Sequence, residues 1–246
     1  TEAKNINSYL LDSPNIWIKS SRKPIGSSMN LMVKGNMPLQ GASLLLDKLD
    51  YQKILDQNPD AAKYMRKIVG SAEFINGKER WCIWIKDSES RDALKIPSIA
   101  ERIERVRESR LNSSDSGTQK MASFPWRFRE QHGDHVDKLV IPSVSSERRE
   151  YIPIGYLGPE IISNLAFAVY DAEPWLFALL TSRMHMVWTR TVGGRMKTDY
   201  RYSNSIIYNN FPVPELSTRA KSELTDAALR VLDVREYHSE MTLAQL

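Results

Sequence analysis

Several features that would define a function are missing from this chain of 246 residues. It has one cysteine, Cys82, so no disulfide can form within it, which fits a reducing cytosol. No apolar run approaches the ~18 residues that span a bilayer, and we expect neither a signal peptide nor a membrane partner. The hydrophobic content of 41% and the charged content of 26% are ordinary for a soluble globular protein, and the net charge of +4 is only mildly basic. Anion binding would therefore need local clusters of cations.

Catalytic motifs are missing as well, including any glycine-rich phosphate loop. Residues 58–60, Asn-Pro-Asp, lack the second proline and the aromatic residue of the Asn-Pro-Pro motif of amino-methylating enzymes. A nuclease motif of the form Asp…Glu-x-Lys fails after Glu73, because position 75 is Ile75 rather than lysine. We therefore expect no catalytic residue and no cofactor. The chain starts at Thr1, so it is expected to be a piece of a longer protein.

Isolated metal-ligating residues do not form a site in the sequence. His132 and His135 could bind a metal, but no second ligand pair accompanies them, so a polar surface loop is the preferred interpretation. Cys82 lies in an apolar strand, where a thiol is usually inert. An enzyme that acts on nucleic acid by itself stays open as an alternative. Metal-dependent turnover that is lost on substituting both histidines would support it.

The first half of the chain predicts short strands and helices. Residues 1–40 are loop-rich, with apolar stretches at 9–11 and 16–18 that predict a strand or two. Asp47 is placed to cap a helix that runs to about Asp56.

The next elements are predicted from proline and glycine signals. Pro59 is expected to begin a helix that Gly70 ends. Residues 76–77, Asn-Gly, predict the type I′ turn of a hairpin over residues 72–85. Its second strand, residues 81–85, is apolar on both faces and should be central and buried.

Pro97 should begin a charged helix that runs to about residue 111. One stripe of this helix faces inward and comprises Ile99, Ile103, Val106 and Arg110. Residues 112–118 have the composition of a flexible loop.

In the second half, strands are predicted at 138–144 and 151–156 around a polar insert at 145–150. One helix should run from Asp171 to Gly193, with an inward stripe of Leu176, Leu180, Met184, Val187 and Thr191.

A last amphipathic helix is expected from Ser217 to about Ser239. The pattern as a whole predicts an α+β fold with a mixed or antiparallel sheet and an appended C-terminal helical segment. We place the boundary between the two after residue 214, giving domains at 1–214 and 215–246.

Residues 182–214 carry the strongest functional signal. This segment holds His185 and one acid, Asp199, together with the cations Arg183, Arg190, Arg195, Lys197 and Arg201. Guanidinium groups neutralise phosphates and pair with the O6 and N7 of guanine, so this composition suits nucleic acid. A solvated basic face beside a buried aromatic cluster is the alternative.

Several long blocks of the sequence resemble one family. They are residues 62–64, 70–84, 141–155, 180–188, 197–203 and 208–214. Together they are similar to the target-recognition region of MmeI-like type IIL (IIG) enzymes, in which a restriction endonuclease is fused to an N6-adenine DNA methyltransferase. The resemblance extends from about Asn5 to Glu215.

The resemblance implies that this chain reads the sequence of double-stranded DNA while other parts of the parent protein cut and methylate it. S-adenosylmethionine and Mg²⁺ are then expected in those other domains, and the bacterial cytoplasm is the expected location. It also implies that the methyltransferase domain is a partner, on which the helix after Ser217 packs. A docking module that binds DNA only within the intact enzyme is the second interpretation.

We expect the polar insert to contact bases through Ser145, Ser146, Glu147, Arg148 and Arg149. Arginine suits guanine, glutamate suits the amino group of cytosine, and serine suits either. The alternative is a solvated hairpin on which Glu147 pairs with Arg149, or Arg148 with Glu150.

Further contacts are expected from residues 182–201. Ser182, Arg183 and His185 are placed near the middle of a helix, with a buried core histidine as the alternative for His185. Phosphate contacts are expected from Arg195, Lys197 and Arg201, with Tyr200 beside them. Lys78 and Arg80 are weaker phosphate candidates, whereas Trp81 and Trp84 are expected in the core.

Overall fold

The structure is a computed structural model in which residues 4–7, 12, 14–15, 17–132 and 137–246 are described. In chain order the strands are β1 (Met32–Lys34), β2 (Leu45–Leu46), β3 (Met65–Val69), β4 (Trp81–Ile83), β5 (Lys138–Pro142), β6 (Val144–Ser145), β7 (Gly155–Leu157), β8 (Ile161–Ile162), β9 (Ala166–Tyr170), β10 (Gly194–Met196) and β11 (Asp199–Arg201). The α-helices are α1 (Lys48–Gln57), α2 (Ser71–Asn76), α3 (Ser90–Ala93), α4 (Pro97–Leu111), α5 (Ser116–Lys120), α6 (Pro174–Leu180), α7 (Arg183–Val192) and α8 (Thr218–Tyr237). The predicted α+β class is confirmed.

The chain forms two compact units, each built from separate stretches of sequence. The first unit comprises Thr1–Lys34, Asp137–Leu157 and Ala166–Leu246, and the second comprises Gly35–Val136 and Gly158–Leu165. The domain boundary placed after residue 214 stays a prediction.

A four-stranded antiparallel sheet, in the order β1-β9-β5-β7, forms the centre of the first unit. Every residue of β5 is buried, including Lys138 at its start, and the apolar run is confined to residues 139–142. Helix α8 packs against α6, with Ala228 fully buried at the contact. Arg235 of α8 donates from Nη1 to the carbonyl of Ile154 at 2.5 Å. The last helix is therefore part of the first unit's core.

A second sheet in the same unit is small, antiparallel and three-stranded, in the order β10-β11-β6. Strands β10 and β11 form a hairpin in which Met196 pairs with Asp199. Strand β11 also pairs with β6, placing Tyr200 opposite Ser145. Two segments far apart in the sequence therefore share one sheet.

The second unit is built on a mixed sheet in the order β2-β4-β3-β8, in which only β3 and β8 run parallel among the described strands. Strand β4 is central and fully buried, as predicted. Helix α4 begins at Pro97, ends at Leu111 and buries the predicted stripe of Ile99, Ile103, Val106 and Arg110.

Arg110 is a fully buried cation in the second unit. Its guanidinium donates hydrogen bonds of 2.7–3.1 Å to the backbone carbonyls of Pro38, Leu39, Met121, Phe124 and Arg127. A buried charge is tolerated when its donors are satisfied in this way. The side chain joins the segment at 38–39 to the segment at 121–127, which begins with a 3-10 helix.

Several predicted elements of the second unit differ from the structure. The hairpin over residues 72–85 is wrong: residues 71–76 form α2, and Gly77, with φ of 63°, ends it in the left-handed conformation. The Glu73 carboxylate accepts a hydrogen bond from the Gly70 N–H and fixes the helix start. The helix expected from Pro59 to Gly70 is also wrong, since a 3-10 helix ends at Tyr64 and β3 follows.

Three further predictions about loops and strands also differ from the structure or lie partly outside the described residues. Residues 112–118 are not all loop, because Asp115 accepts a hydrogen bond from the Thr118 N–H and begins α5. The strand predicted at 151–156 forms only from Gly155 onward. The apolar stretch at 9–11 and residue 16 lie outside the described residues, and residues 17–18 form no strand.

Candidate nucleic-acid interface

The helix predicted from Asp171 to Gly193 is broken into two. Helix α6 ends at Leu180, and Ser182 caps α7 by accepting a hydrogen bond from the His185 N–H at 3.1 Å. Ser182 and Arg183 therefore lie at a helix start, and the mid-helix placement was wrong. The break also rotates the buried face: Met184 and Val187 are more than half exposed, so their assignment to the inward stripe was wrong.

His185 is fully buried in the first unit. Its Nε2 lies 2.9 Å from the hydroxyl of Tyr202, and its ring stacks edge-on against Phe211 at 4.5 Å. Burial lowers the pKa of His185 to about 3, so the imidazole is neutral near pH 7. This is the position of a core histidine, the alternative left open by the sequence, and its side chain has no exposed surface for DNA.

The β10–β11 hairpin presents the cations that were expected to contact phosphate. Arg195, Lys197 and Arg201 are all exposed, and the Arg195 guanidinium donates to the Thr198 carbonyl at 3.1 Å. Lys197 lies in the two-residue turn with φ of 57°, a conformation that costs a residue with a Cβ. The hairpin tip therefore holds its lysine in a strained but defined backbone geometry.

Tyr200 is 5% exposed, so it is not itself a surface contact. The Arg195 guanidinium lies 4.0 Å above its ring, and the Arg190 Nε donates to its hydroxyl at 3.1 Å. Arg190 extends from the last turn of α7 and is exposed. Tyr200 thus connects the helix and the hairpin through two arginines.

The predicted base-reading insert adjoins the same hairpin. Ser145 is 3% exposed and belongs to β6, whereas Glu147 and Arg148 form an exposed turn. Ser146 stabilises the turn, because its hydroxyl accepts from the Arg148 N–H at 3.3 Å. The Glu147 N–H donates to Asp199 Oδ1 at 3.3 Å. The turn is therefore attached to the β10–β11 hairpin.

Arg149 differs from its neighbour. Its Nη1 donates to the carbonyl of Leu243 at 3.0 Å, so it connects the turn to the C-terminal segment. Neither the Glu147–Arg149 nor the Arg148–Glu150 ion pair is found among the described residues. The surface cations Arg148, Arg183, Arg190, Arg195, Lys197 and Arg201 also lack a carboxylate within 4.0 Å in the described part of the chain.

The structure brings most of the predicted residues together. We define the cationic surface as the β6 turn, the β10–β11 hairpin and the last turn of α7. Arg190 and Asp199 were counted only as members of the charged segment, with no specific contact predicted for either. Their side chains join these elements. The available signal was the alternation in β11, which places Tyr200 on the face opposite to Asp199 and Arg201.

Of the two weaker phosphate candidates, Arg80 pairs within the protein and Lys78 is exposed, and their phosphate contacts stay a prediction. Arg80 lies 3.5 Å from the Glu73 carboxylate, while Lys78 is exposed. Trp81 and Trp84 are core residues, and Trp81 stacks on Tyr51 at 4.6 Å.

The two histidines that were considered as metal ligands are not seen together in a site among the described residues. The backbone N–H of His132 donates to Asn36 Oδ1, and His135 lies outside the described residues. No cluster of metal-ligating side chains occurs among the described residues.

Burial raises the pKa of the Cys82 thiol, which keeps it protonated. Within the same residues, no helix combines the length and the apolar character that a membrane span requires.

The chain belongs to the family of the MmeI target recognition domain, whose family model matches residues 12–215. It is 46% identical over 243 residues to DNA methyltransferase A of Bacillus subtilis (strain 168), covering 98% of this chain and 27% of that protein. A solved structure of the type IIL restriction-modification enzyme MmeI in complex with DNA superimposes with a TM-score of 0.93 and 37% identity. That match covers 98% of this chain and 32% of the MmeI chain. The chain thus spans about a third or less of the length of these relatives.

Proposed function

We propose that this chain recognises a specific sequence in double-stranded DNA as the target-recognition part of a fused restriction endonuclease–N6-adenine methyltransferase. The observation that carries the proposal is the three-stranded sheet β10-β11-β6, which brings the two cationic blocks, residues 145–149 and 194–201, next to each other. Exposed cations without carboxylate partners are free to exchange counterions for phosphates. The likeness to MmeI, whose structure is a complex with DNA, supports the same conclusion.

Within this proposal the exposed side chains divide into two roles. Glu147 and Arg148, at the tip of the β6 turn, read base edges, with Ser146 beside them. Phosphate contacts come from Arg195, Lys197 and Arg201, and from Arg183 beside the Ser182 cap. Ser145, His185 and Tyr200 are buried and support the surface from behind. Arg149 belongs with this supporting group because its guanidinium bonds to Leu243.

The parent protein supplies the chemistry in this proposal. S-adenosylmethionine and Mg²⁺ would be bound by its methyltransferase and nuclease parts, outside this chain. The similarity to DNA methyltransferase A supports a methyltransferase partner in the same polypeptide.

Selection of bound duplexes from a randomised library, at two salt concentrations, tests the proposal. We expect an enriched motif that persists at the higher salt, because base contacts release fewer counterions than phosphate contacts. The triple variant Arg148→Ala/Lys197→Ala/Arg201→Ala should lose enrichment. A matched variant that removes three exposed cations of the second unit, Lys48→Ala/Lys95→Ala/Arg105→Ala, should keep it. Equal behaviour of the two variants would contradict the proposal.

A second function, docking of the methyltransferase domain, is favoured by a separate observation. A groove of about 680 Å³ lies between residues 149–153, α8 and Leu243 and Leu246. Its lining is largely apolar, and Tyr151, Val231, Val234 and Leu246 are each more than 40% exposed. Exposed apolar area of this kind is typical of protein-interaction sites.

Two measurements on the same variants distinguish docking from DNA recognition: binding to the methyltransferase domain and selection of the DNA motif. Val234→Asp should weaken binding of this chain to a separately produced methyltransferase domain and leave the selected DNA motif unchanged. Glu236→Asp, on the same helix but not lining the groove, is the control. If the unsubstituted chain enriches no motif alone but does so with the methyltransferase domain present, docking is the primary role.

A further inference from the structure

Tyr200 contacts two arginines that come from different elements. The Arg190 Nε donates to its hydroxyl at 3.1 Å, and the Arg195 guanidinium lies 4.0 Å above its ring. Arg195 and Tyr200 are paired across the β10–β11 hairpin, so their side chains leave the sheet on the same face. The tyrosine ring itself is 5% exposed and cannot move away from these contacts without disturbing the core.

Both arginines keep N–H donors that bond to no group in the part of the chain that the structure describes. Among the described residues Arg190 bonds only through Nε, which leaves both terminal nitrogens for a forked acceptor. Arg195 uses Nη1 for the Thr198 carbonyl and keeps its Nη2 and Nε donors. No carboxylate of the described residues lies within ion-pair distance of either guanidinium. Two cations are therefore held in place without being neutralised.

We propose that Tyr200 is a positioning residue that holds Arg190 and Arg195 ready for DNA, and that Arg190 is a direct DNA contact. This inference rests on the proposed function. The ligand chemistry is a pair of adjacent oxygen or nitrogen acceptors, which DNA offers as phosphate oxygens or as the O6 and N7 of guanine. An arginine fixed before binding loses less side-chain freedom when it pairs with such a group.

The proposal predicts a coupled loss of affinity. Arg190→Ala should weaken binding to the selected duplex by about 10-fold or more, the effect of losing one good arginine contact. Tyr200→Phe keeps the ring under Arg195 but removes the acceptor for Arg190, and it should weaken binding by about 3- to 10-fold. In the Arg190→Ala background, Tyr200→Phe should have almost no further effect, because the residue it positions is gone.

Tyr202→Phe is the matched control. It removes a neighbouring phenol hydroxyl that bonds to His185 in the core and to no arginine. Its affinity should match that of the unsubstituted chain under conditions where both are fully folded, as checked by circular dichroism. A purely structural role of Tyr200 would instead weaken binding equally in the presence and absence of Arg190, and that additivity would overturn the proposal.

Two further measurements identify the acceptor and separate this inference from the proposed function. A salt slope reduced by about one unit in Arg190→Ala indicates phosphate, whereas relaxed preference at one base pair in the selected motif indicates guanine. If the unsubstituted chain binds its motif and Arg190→Ala binds equally well, the inference fails and the function stands. If the unsubstituted chain binds no duplex even with its methyltransferase domain, the proposed function fails, and the Arg190 contact fails with it.

Discussion

The imidazole of His185 and the phenol of Tyr202 are joined by a hydrogen bond of 2.9 Å in the core of the first unit. Burial lowers the pKa of His185 to about 3 and raises that of Tyr202 well above its usual value. Both shifts favour the neutral forms, so the pair is an uncharged link between α7 and the residue that follows β11.

The His185 shift predicts a pH dependence of stability. The unfolded state takes up a proton near pH 6.5 and the folded state does not, so stability is complete above pH 6.5 and falls as the pH drops toward 3. The slope contributed by this residue approaches about 1.4 kcal/mol per pH unit. Urea unfolding at several pH values should show this slope reduced in His185→Gln. His238→Gln, which changes a partly exposed histidine, should keep it, and an equal slope in all three proteins would contradict the prediction.

Arg148 and Arg149 are neighbours with different contacts, and their alanine variants should behave differently. Arg148→Ala removes an exposed side chain from the turn, so it should cost roughly 1–3 kcal/mol of binding to the selected duplex and leave stability unchanged. Arg149→Ala removes the hydrogen bond to Leu243, so it should lower stability by about 1 kcal/mol and keep the motif. Duplex selection and urea unfolding of both variants check this. Loss of the motif in Arg149→Ala alone would reverse the assignment.

Lys197 allows stability and binding to be separated at one position. Because its φ is 57°, Lys197→Gly should relieve strain and stabilise the protein by up to about 1 kcal/mol. The same change removes an amine, so binding to all duplexes should weaken. Lys197→Ala should weaken binding equally without the gain in stability. A glycine variant that unfolds at lower urea concentration than the alanine variant would show that the turn is not strained.

Arg110 should dominate the stability of the second unit. Arg110→Ala removes a guanidinium that bonds to five backbone carbonyls and opens a cavity, so we expect the free energy of unfolding to fall by more than about 3 kcal/mol. Arg105→Ala, on the same helix but more than half exposed, should cost less than about 0.5 kcal/mol. Urea unfolding curves of the two variants give the comparison, and similar midpoints would contradict it.

An element could be predicted from the sequence where its local pattern is compatible with one type of structure only. Helix α4 was predicted at both ends, because Pro97 can begin a helix and a period of 3.6 fits little else. Asn76-Gly77 has two meanings, a tight hairpin turn or a helix stop. The helix start is fixed by a local contact that the prediction did not include, the hydrogen bond from the Gly70 N–H to the Glu73 carboxylate three residues later.

The candidate site shows the same limit. The cations of residues 183–201 were identified from composition alone, but the break at Ser182 was missed because both flanking segments are apolar. That break determines which face of α7 is buried, and so moves His185 into the core. The role of Tyr200 depends on its register with Arg195 and Ser145, which no local pattern in the sequence specifies.

The way the chain passes between its two units limits how it can be recombined with relatives. It leaves the first unit after Lys34, returns at Asp137, leaves again at Gly158 and returns at Ala166. A chimera with one crossover inside residues 35–165 would therefore combine strands from two parents within a single sheet, as β1 and β9 would then have different origins. Exchange of the turn at 145–149 together with the hairpin at 194–201 changes none of the positions at which the chain passes from one unit to the other. Grafts of this paired kind should fold where single-crossover hybrids do not.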